Sequence, residues 1–505
     1  GSAAAAAAEP AEAEAEAKAA AEAAAAKAKA ESPCEKLSRS IERKHGMPSS
    51  LALTNVTGLE YHWVYQNGDA EGINYSHMAM VERLPAGAEA TYLAVWQAAG
   101  EMAGVRDQHI RGSFSTDMVH WSKSYRLPLE QRGSIWAPVL YLEKGRAPGP
   151  AGQAEDGVMW LFYAESATCL RTQPNFRDKV YAPGGDVKCV RSNDGVHWSA
   201  PRTILSEAEE GFIPKVIANK PVVLPSGEWV LPMWREDPGA SPGLECTVGG
   251  SAPRRPVALL SSDGGATWRV GGDAWSPKLK PGAMLLEGSV VAMPDGGVTQ
   301  YFRSTQEWIY RTVSHDRGLT WDEPKAMKIP NPNSKTDAIF LRRCGLVALG
   351  YNHHIKLEDE WGGVRTELYI ALSKGGAKTW SIVAKLEEAY IPKTKFHYPT
   401  LLELPGCRLA AIYTVGRKEH ASAGGVKVAI VDLAKYISSP LLDEYEAAVA
   451  EEERLEELSK DDFEMDDKYW RKVDKYIDRY KYGFIKKKPH ERAHAKVFKG
   501  GGATP

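Results

Sequence analysis

Two carboxylates, two arginines and a tyrosine are the residues of this 505-residue chain whose types can do chemistry together: Asp107, Glu287, Arg303, Arg365 and Tyr398, with His77 and Arg417 as outer candidates. Glu287 stands in LLEGSVV and Arg303 in YFRS, sixteen positions on (303 − 287). Tyr398, in FHYPTLL, follows Arg365, in GGVRTEL, by thirty-three (398 − 365). A carboxylate beside a hydroxyl can carry its proton, and an arginine offers an anion a planar, permanently charged fork. Each residue also has a plainer reading. Glu287 and Arg303 can be an ion pair between neighbouring strands, Tyr398 a core tyrosine ahead of Pro399, and Asp107 an ordinary loop carboxylate. Residues so far apart act only as a set, so the elements that converge them decide.

Those elements announce themselves by repetition. The motif Ser-x-Asp-x-Gly-x-Thr-Trp is intact at Ser261 to Trp268 and at Ser314 to Trp321. Looser copies begin at Ser115, Ser192 and Ser373, giving starts that lie between 53 and 77 residues apart (314 − 261 and 192 − 115). That period is too long for a helical solenoid and suits a four-stranded blade with decorated loops. Asp and Gly make a tight turn between strands, Ser or Thr satisfies backbone groups, and the Trp fills the space beneath. The motif is therefore turn and core, with no catalytic role for its aspartates. The Ser115 and Ser192 copies are one residue short, and the Ser373 copy has Gly375 in place of Asp and Ala377 in place of Gly, so these three are expected to be the weaker turns.

Between about residues 55 and 436, short runs of Val, Ile, Leu, Tyr and Trp alternate with Pro-Gly, Asp-Gly and Ser-Gly signals, as in VVLPSGEWVLPMW and VVAMPDGGVTQYF. Many short strands with such hairpins predict an all-β body, assigned to 46–438. Residues 1–45 are an Ala/Glu/Lys-rich tract with helix propensity and no apolar stripe, a linker or exposed helix. Residues 439–505 form a charged tail, expected to be helical, whose Tyr469, Trp470, Tyr476, Tyr480 and Tyr482 suit a docking arm for a protein partner or a helix packed on its own domain. A formal charge of −2 without a basic, aromatic-interleaved stripe argues against a nucleic-acid partner. No run approaches eighteen apolar residues, so no membrane span is expected. The six cysteines lack zinc-site spacing and disulfide-scaffold density, which favours buried free thiols. Neither a cofactor nor a metal motif is present.

The segments SHMAMVERLPAG, NKPVVLPSGEWVLPMWRE, LEGSVVAMPDGGVTQYFRS, IPNPNSKTDAIFL and FHYPTLLELPG, set among the repeats, resemble the sialidase superfamily of Asp-box propellers, and most closely its sialidase-like BNR-repeat branch, over about residues 73–432. The resemblance implies a six-bladed β-propeller and an exo-glycosidase of the retaining type acting on a terminal acidic nine-carbon sugar. It implies Tyr398 as nucleophile with Glu287 as its base, Asp107 as acid/base, and Arg303 and Arg365 as carboxylate ligands. One departure stands out: where the family places its first carboxylate-binding arginine, this chain has His77. Arg417 or Arg106 then substitutes, or the sugar is not a conventional sialic acid. The alternative is a propeller without catalysis that binds a sialic-acid-like glycan or serves as a scaffold through its terminal extensions.

Overall fold

In the computed structural model the described residues are 58–68, 72–143, 157–171, 179–210, 212–236, 255–280, 283–342, 345–354, 365–374, 380–388, 394–417 and 424–433. The terminal tract and tail, with their expected helices, lie outside them. What is described is β-structure apart from one short 3₁₀ turn at Glu207–Glu210. No helix among these residues is long and apolar enough to cross a membrane.

Six antiparallel sheets form the blades of a propeller; five have four strands and one has five. Their innermost strands are Tyr75–Arg83, Ser134–Glu143, Lys215–Ile217, Leu285–Ala292, Asp337–Leu341 and Thr394–Leu404, which define blades 1 to 6. Middle strands such as Tyr92–Ala99 and Trp229–Arg235 are buried throughout, because a blade is covered on both faces by its neighbours. They read accordingly as unbroken apolar runs instead of alternating ones. The outermost strand of blade 6, Leu59–Gln66, comes from the start of the described chain and pairs with Gly425–Asp432, which closes the ring.

This closure explains why six blades carry five motifs. In blades 1 to 4 the motif is the turn from third to fourth strand, and in blade 5 it falls between those strands in sequence, whereas in blade 6 the two strands come from opposite ends of the chain and need no turn. The intact copy at Ser261 shows the chemistry. Ser261 Oγ donates to Asp263, Thr267 donates to Asp263 through both its backbone N–H and its hydroxyl, and Trp268 Nε1 donates to the Gly265 carbonyl over 3.0 Å. Gly265 has φ +80°, and a Cβ there would stand 3.0 Å from the Trp160 ring. Trp268 packs edge-on against Phe162 and Trp229, with centroids 5.8 and 6.0 Å away, a geometry worth about 0.5–1.5 kcal/mol per pair beyond burial.

The shortened turns are as completely bonded as the intact ones, contrary to the expectation that they are weaker. In them a histidine takes the place of Thr: His120 Nδ1 lies 2.7 Å from Asp117 Oδ2, and His197 Nδ1 lies 2.7 Å from Asp194 Oδ2. Trp121 and Trp198 still donate to the carbonyls of Met118 and Gly195. Residues 375–379 of the fifth copy lie outside the described set. The cysteine expectation needs a correction too. Cys189 is a buried free thiol, but Cys169 and Cys407 are each engaged in a disulfide bond.

Candidate active site

The inner strands of blades 1, 2, 4 and 6 share a departure from regular pairing. Each gains one residue on its neighbour, between His77 and Met80, Trp136 and Val139, Leu286 and Ser289, and His397 and Thr400. Within each bulge a non-glycine residue takes a left-handed backbone: Met78 (φ 55°), Ala137 (49°), Glu287 (47°) and Tyr398 (61°). Such a conformation costs on the order of 1–3 kcal/mol per residue and persists only where the surroundings enforce it. A bulge re-aims the side chain, which is how the inner strands of blades 4 and 6 bring Glu287 and Tyr398 to each other.

Polar pins across the blades supply the enforcement. Asn219 Nδ2, from blade 3, lies within donating distance of the Glu287 and Gly288 carbonyls at 3.0 Å each and of the Thr336 carbonyl at 3.2 Å. Gly288 leaves no room for a side chain, since its Cβ would fall 2.1 Å from Gln300 Nε2. Ala137 N–H donates to Gln97 Oε1 over 2.8 Å, and buried Lys335 donates to the Pro399 carbonyl over 2.6 Å.

These constraints bring Glu287, Arg303, Arg365, Tyr398 and His77 together. The Tyr398 hydroxyl donates to Glu287 Oε1 over 2.7 Å. Arg303 Nη1 donates to that same oxygen over 2.8 Å and to the Tyr398 oxygen over 2.6 Å. Asn333, itself left-handed, ties the arginines to each other: its Oδ1 accepts from Arg303 Nε at 2.7 Å and its carbonyl from Arg365 Nη2 at 2.8 Å. Arg365 also donates to His397 Nδ1 over 3.1 Å, and its guanidinium carbon stands 5.4 Å from the Tyr398 ring centroid. Glu287 Oε2 and Arg365 Nε are buried without a partner among the described residues, one spare acceptor and one spare donor. Met78, Trp136, Val216 and Trp234 make an apolar wall against Tyr398.

Electrostatics follow from burial and from these cations. Desolvation pushes the Tyr398 phenol up to about 12, with Glu287 raising it further and Arg303 and Arg365 opposing. Arg303 is held above the ordinary arginine range: its desolvation works against the charge, and Glu287 and Tyr398 outweigh that. His77 lies with its ring centroid 4.2 Å from that of Tyr398 and its Nδ1 3.1 Å from Thr414 Oγ1. Desolvation, then Arg365, Arg303 and Lys335, drive the His77 pKa well below 6.5. It is a neutral imidazole beside the Tyr398 ring.

Asp107 lies outside this hydrogen-bonded cluster. It is exposed on the 100–108 loop, its Oδ2 accepting from Gly100 N–H at 3.0 Å. The pairing of His77 with Gln97 and of Tyr75 with Ala99 puts this loop at the same end of blade 1 as His77, and Ala103 from it packs on the wall around Tyr398. Arg106 is exposed on the same loop, and the Arg417 backbone pairs with Thr394 at the end of its strand. Sequence reasoning missed Asn333, Asn219, His397, Trp136 and Glu236, whose Oε2 accepts from Trp234 Nε1 at 2.9 Å and whose charge reaches Arg303. Asn333 had a signal in IPNPNSKTD, where an Asn between Pro and Ser suits a left-handed turn.

The comparisons agree with this architecture. A family model described as a BNR repeat-like domain matches residues 90–410. No curated protein matches the chain. Among solved structures, Trypanosoma rangeli sialidase superposes with a TM-score of 0.53 at 12% identity, covering 78% of this chain and 62% of its own. The intramolecular trans-sialidase of Ruminococcus gnavus, complexed with oseltamivir carboxylate, gives 0.52 at 14%, covering 75% and 98%. An α-L-arabinanase of Penicillium chrysogenum, complexed with arabinobiose, gives 0.50 at 16%, covering 75% and 99%. At these identities the likeness is one of fold, that of glycoside hydrolase-like propellers. With the family model spanning well over half its length, the chain belongs to the BNR repeat-like domain family and is a sialidase-like six-bladed propeller protein.

Proposed function

We propose that the chain is a retaining exo-α-glycosidase of the sialidase type, acting on a terminal acidic nine-carbon sugar. The observation that carries this reading is the buried triangle of Tyr398, Glu287 and Arg303, in which one carboxylate oxygen and one guanidinium nitrogen both touch the phenolic oxygen. With its pKa pushed up to about 12, Tyr398 is a neutral phenol at pH 7 and must lose its proton as it attacks. Glu287 is at hydrogen-bond distance to receive it, and Arg303 stabilises the charge developing on the oxygen. A neutral nucleophile suits an anomeric carbon that bears a carboxylate, the recognised exception to the two-carboxylate rule of glycosidases.

In this reading the tyrosine oxygen bonds to the anomeric carbon while the glycosidic oxygen departs with a proton from Asp107. Asp107 then takes a proton from water, the water oxygen replaces tyrosine at the anomeric carbon, and Glu287 returns its proton to the phenolate. Arg303 and Arg365 orient the sugar carboxylate, with Arg365 Nε the donor still free to do so. Arg417 on the neighbouring strand end is an outer ligand candidate.

The test is turnover of a panel of fluorogenic α-ketosides, including those of N-acetylneuraminate and its deaminated analogue, by the chain and by Tyr398→Phe. Turnover by the former and its loss in the latter support the reading. No turnover by folded protein between about pH 4 and 8, where carboxyl and imidazole groups titrate, would sink it in favour of a glycan-binding propeller without catalysis.

A further inference from the structure

Cations and anions are mixed around the site. Its cations are Arg303, Arg365 and Lys335, with Lys220 beyond; its anions are Glu287, Glu236 and Asp337, with Glu82 paired to Lys220 over 2.7 Å. A sugar carboxylate entering beside the two arginines adds one negative charge in excess of that set. Asp107 lies on the exposed loop, where solvent screens it.

His77 is the group placed to answer that excess. It faces Tyr75 on its own strand at 6.1 Å between ring centroids, and Tyr398 and His397 of blade 6 at 4.2 and 5.0 Å. Thr414 holds its Nδ1, Gln97 pairs with it across the strand, and Arg303, Arg365 and Lys335 act on it from blades 4 and 5. Burial is the largest cause that disfavours a proton on it, and the cationic neighbours add to that only while no anion stands among them. His397 is the other imidazole here, but its Nδ1 already accepts from Arg365.

We propose that His77 is a proton-gated specificity residue: a monoanionic sugar binding at Arg303 and Arg365 draws one proton from solvent onto the His77 imidazole, so the third cation exists only in the complex. This rests on the acidic-sugar reading above. A neutral sugar brings no charge and recruits no proton, so acidification favours anionic ligands alone. By linkage, the proton that the ligand recruits strengthens the ligand in return.

Titration calorimetry with 2-deoxy-2,3-dehydro-N-acetylneuraminate tests it, run at pH 7 in phosphate and in Tris, whose ionisation enthalpies differ. Wild type is expected to take up protons, up to about one per ligand, and to lose up to about tenfold in affinity per pH unit between about pH 6 and 7.5, below the range in which Lys335, lowered to about 8, titrates. His77→Arg and His77→Gln are expected to show neither. Binding by wild type with no proton uptake and a flat pH profile overturns the His77 proposal and leaves the acidic-sugar reading standing. Uptake that survives in His77→Gln assigns the proton elsewhere and overturns it as well. Absence of binding by folded wild type between about pH 5 and 8, the range of histidine titration, overturns both.

Discussion

Tyr398 and Glu287 meet across 2.7 Å from blades 6 and 4, and each does so from a left-handed bulge on its inner strand. Neither residue is flanked by the local turn chemistry that would make such a backbone easy. The contact is imposed by the ring of blades: Asn219 of blade 3 holds the Glu287 bulge, and Lys335 holds the Pro399 carbonyl beside Tyr398.

Tyr398→Phe separates chemistry from architecture. The ring keeps its packing against Met78, Trp136 and Trp234, so unfolding free energy should fall by only about 1–3 kcal/mol, the scale of a lost buried hydrogen bond. Turnover of an α-ketoside should fall by at least about a thousandfold, as for other nucleophile deletions. Chemical denaturation and steady-state kinetics on one preparation check both halves.

Asn333 offers a paired substitution. Asn333→Gly retains the freedom for φ 58° but removes the acceptor from Arg303 Nε, whereas Asn333→Ala loses both. Glycine should raise KM with little change in stability. Alanine should raise KM similarly and also destabilise the fold by about 1–3 kcal/mol, the cost of left-handed strain. Equal stability of the two variants in urea titrations would show that Asn333 is not a conformational anchor.

Asn219→Ala removes the donor from the bulge that aims Glu287, leaving buried carbonyls unsatisfied. A loss of about 1–3 kcal/mol per abandoned group is expected, and activity should fall although Asn219 lies behind the reacting groups. Unchanged kcat in a destabilised variant would separate the pin from the chemistry.

The blade turns predict an acid limb of stability. The Asp263 carboxyl is lowered from 3.8 to about 2 by hydrogen bonds from Thr267 and Ser261. A carboxyl depressed on folding contributes stability that is complete above its unfolded pKa and disappears as pH falls through the folded one. The contribution should therefore fade between about pH 4 and 2, and Asp263→Asn should flatten that part of the curve of thermal midpoint against pH.

Much of the frame was readable because it is written locally. A Ser-Asp-Gly-Thr-Trp turn closes its hydrogen bonds within eight residues, so it can be recognised without knowing what surrounds it, and the repeats of the motif announce a bladed sheet. The set of Glu287, Arg303, Arg365 and Tyr398 was readable through the resemblance of its segments to those of sialidase-like propellers. What was hidden depends on contacts between blades. Asn219 and Asn333 are unremarkable polar residues until the ring closes, and nothing near Glu287 or Tyr398 in sequence declares a positive φ. His77 illustrates the same limit for charge. Its residue type permits a cation near neutral pH, but two arginines and a lysine from other blades decide otherwise.

The central claim, that Tyr398 is the nucleophile, is tested most directly by trapping. A 3-fluorosialosyl fluoride should form a slowly hydrolysed adduct, seen by intact-protein mass spectrometry at one label per chain and located by peptide mapping on the segment containing Tyr398. Tyr398→Phe should remain unlabelled. An enzyme that turns over α-ketosides yet carries the label on another residue, or is never labelled, would contradict the account.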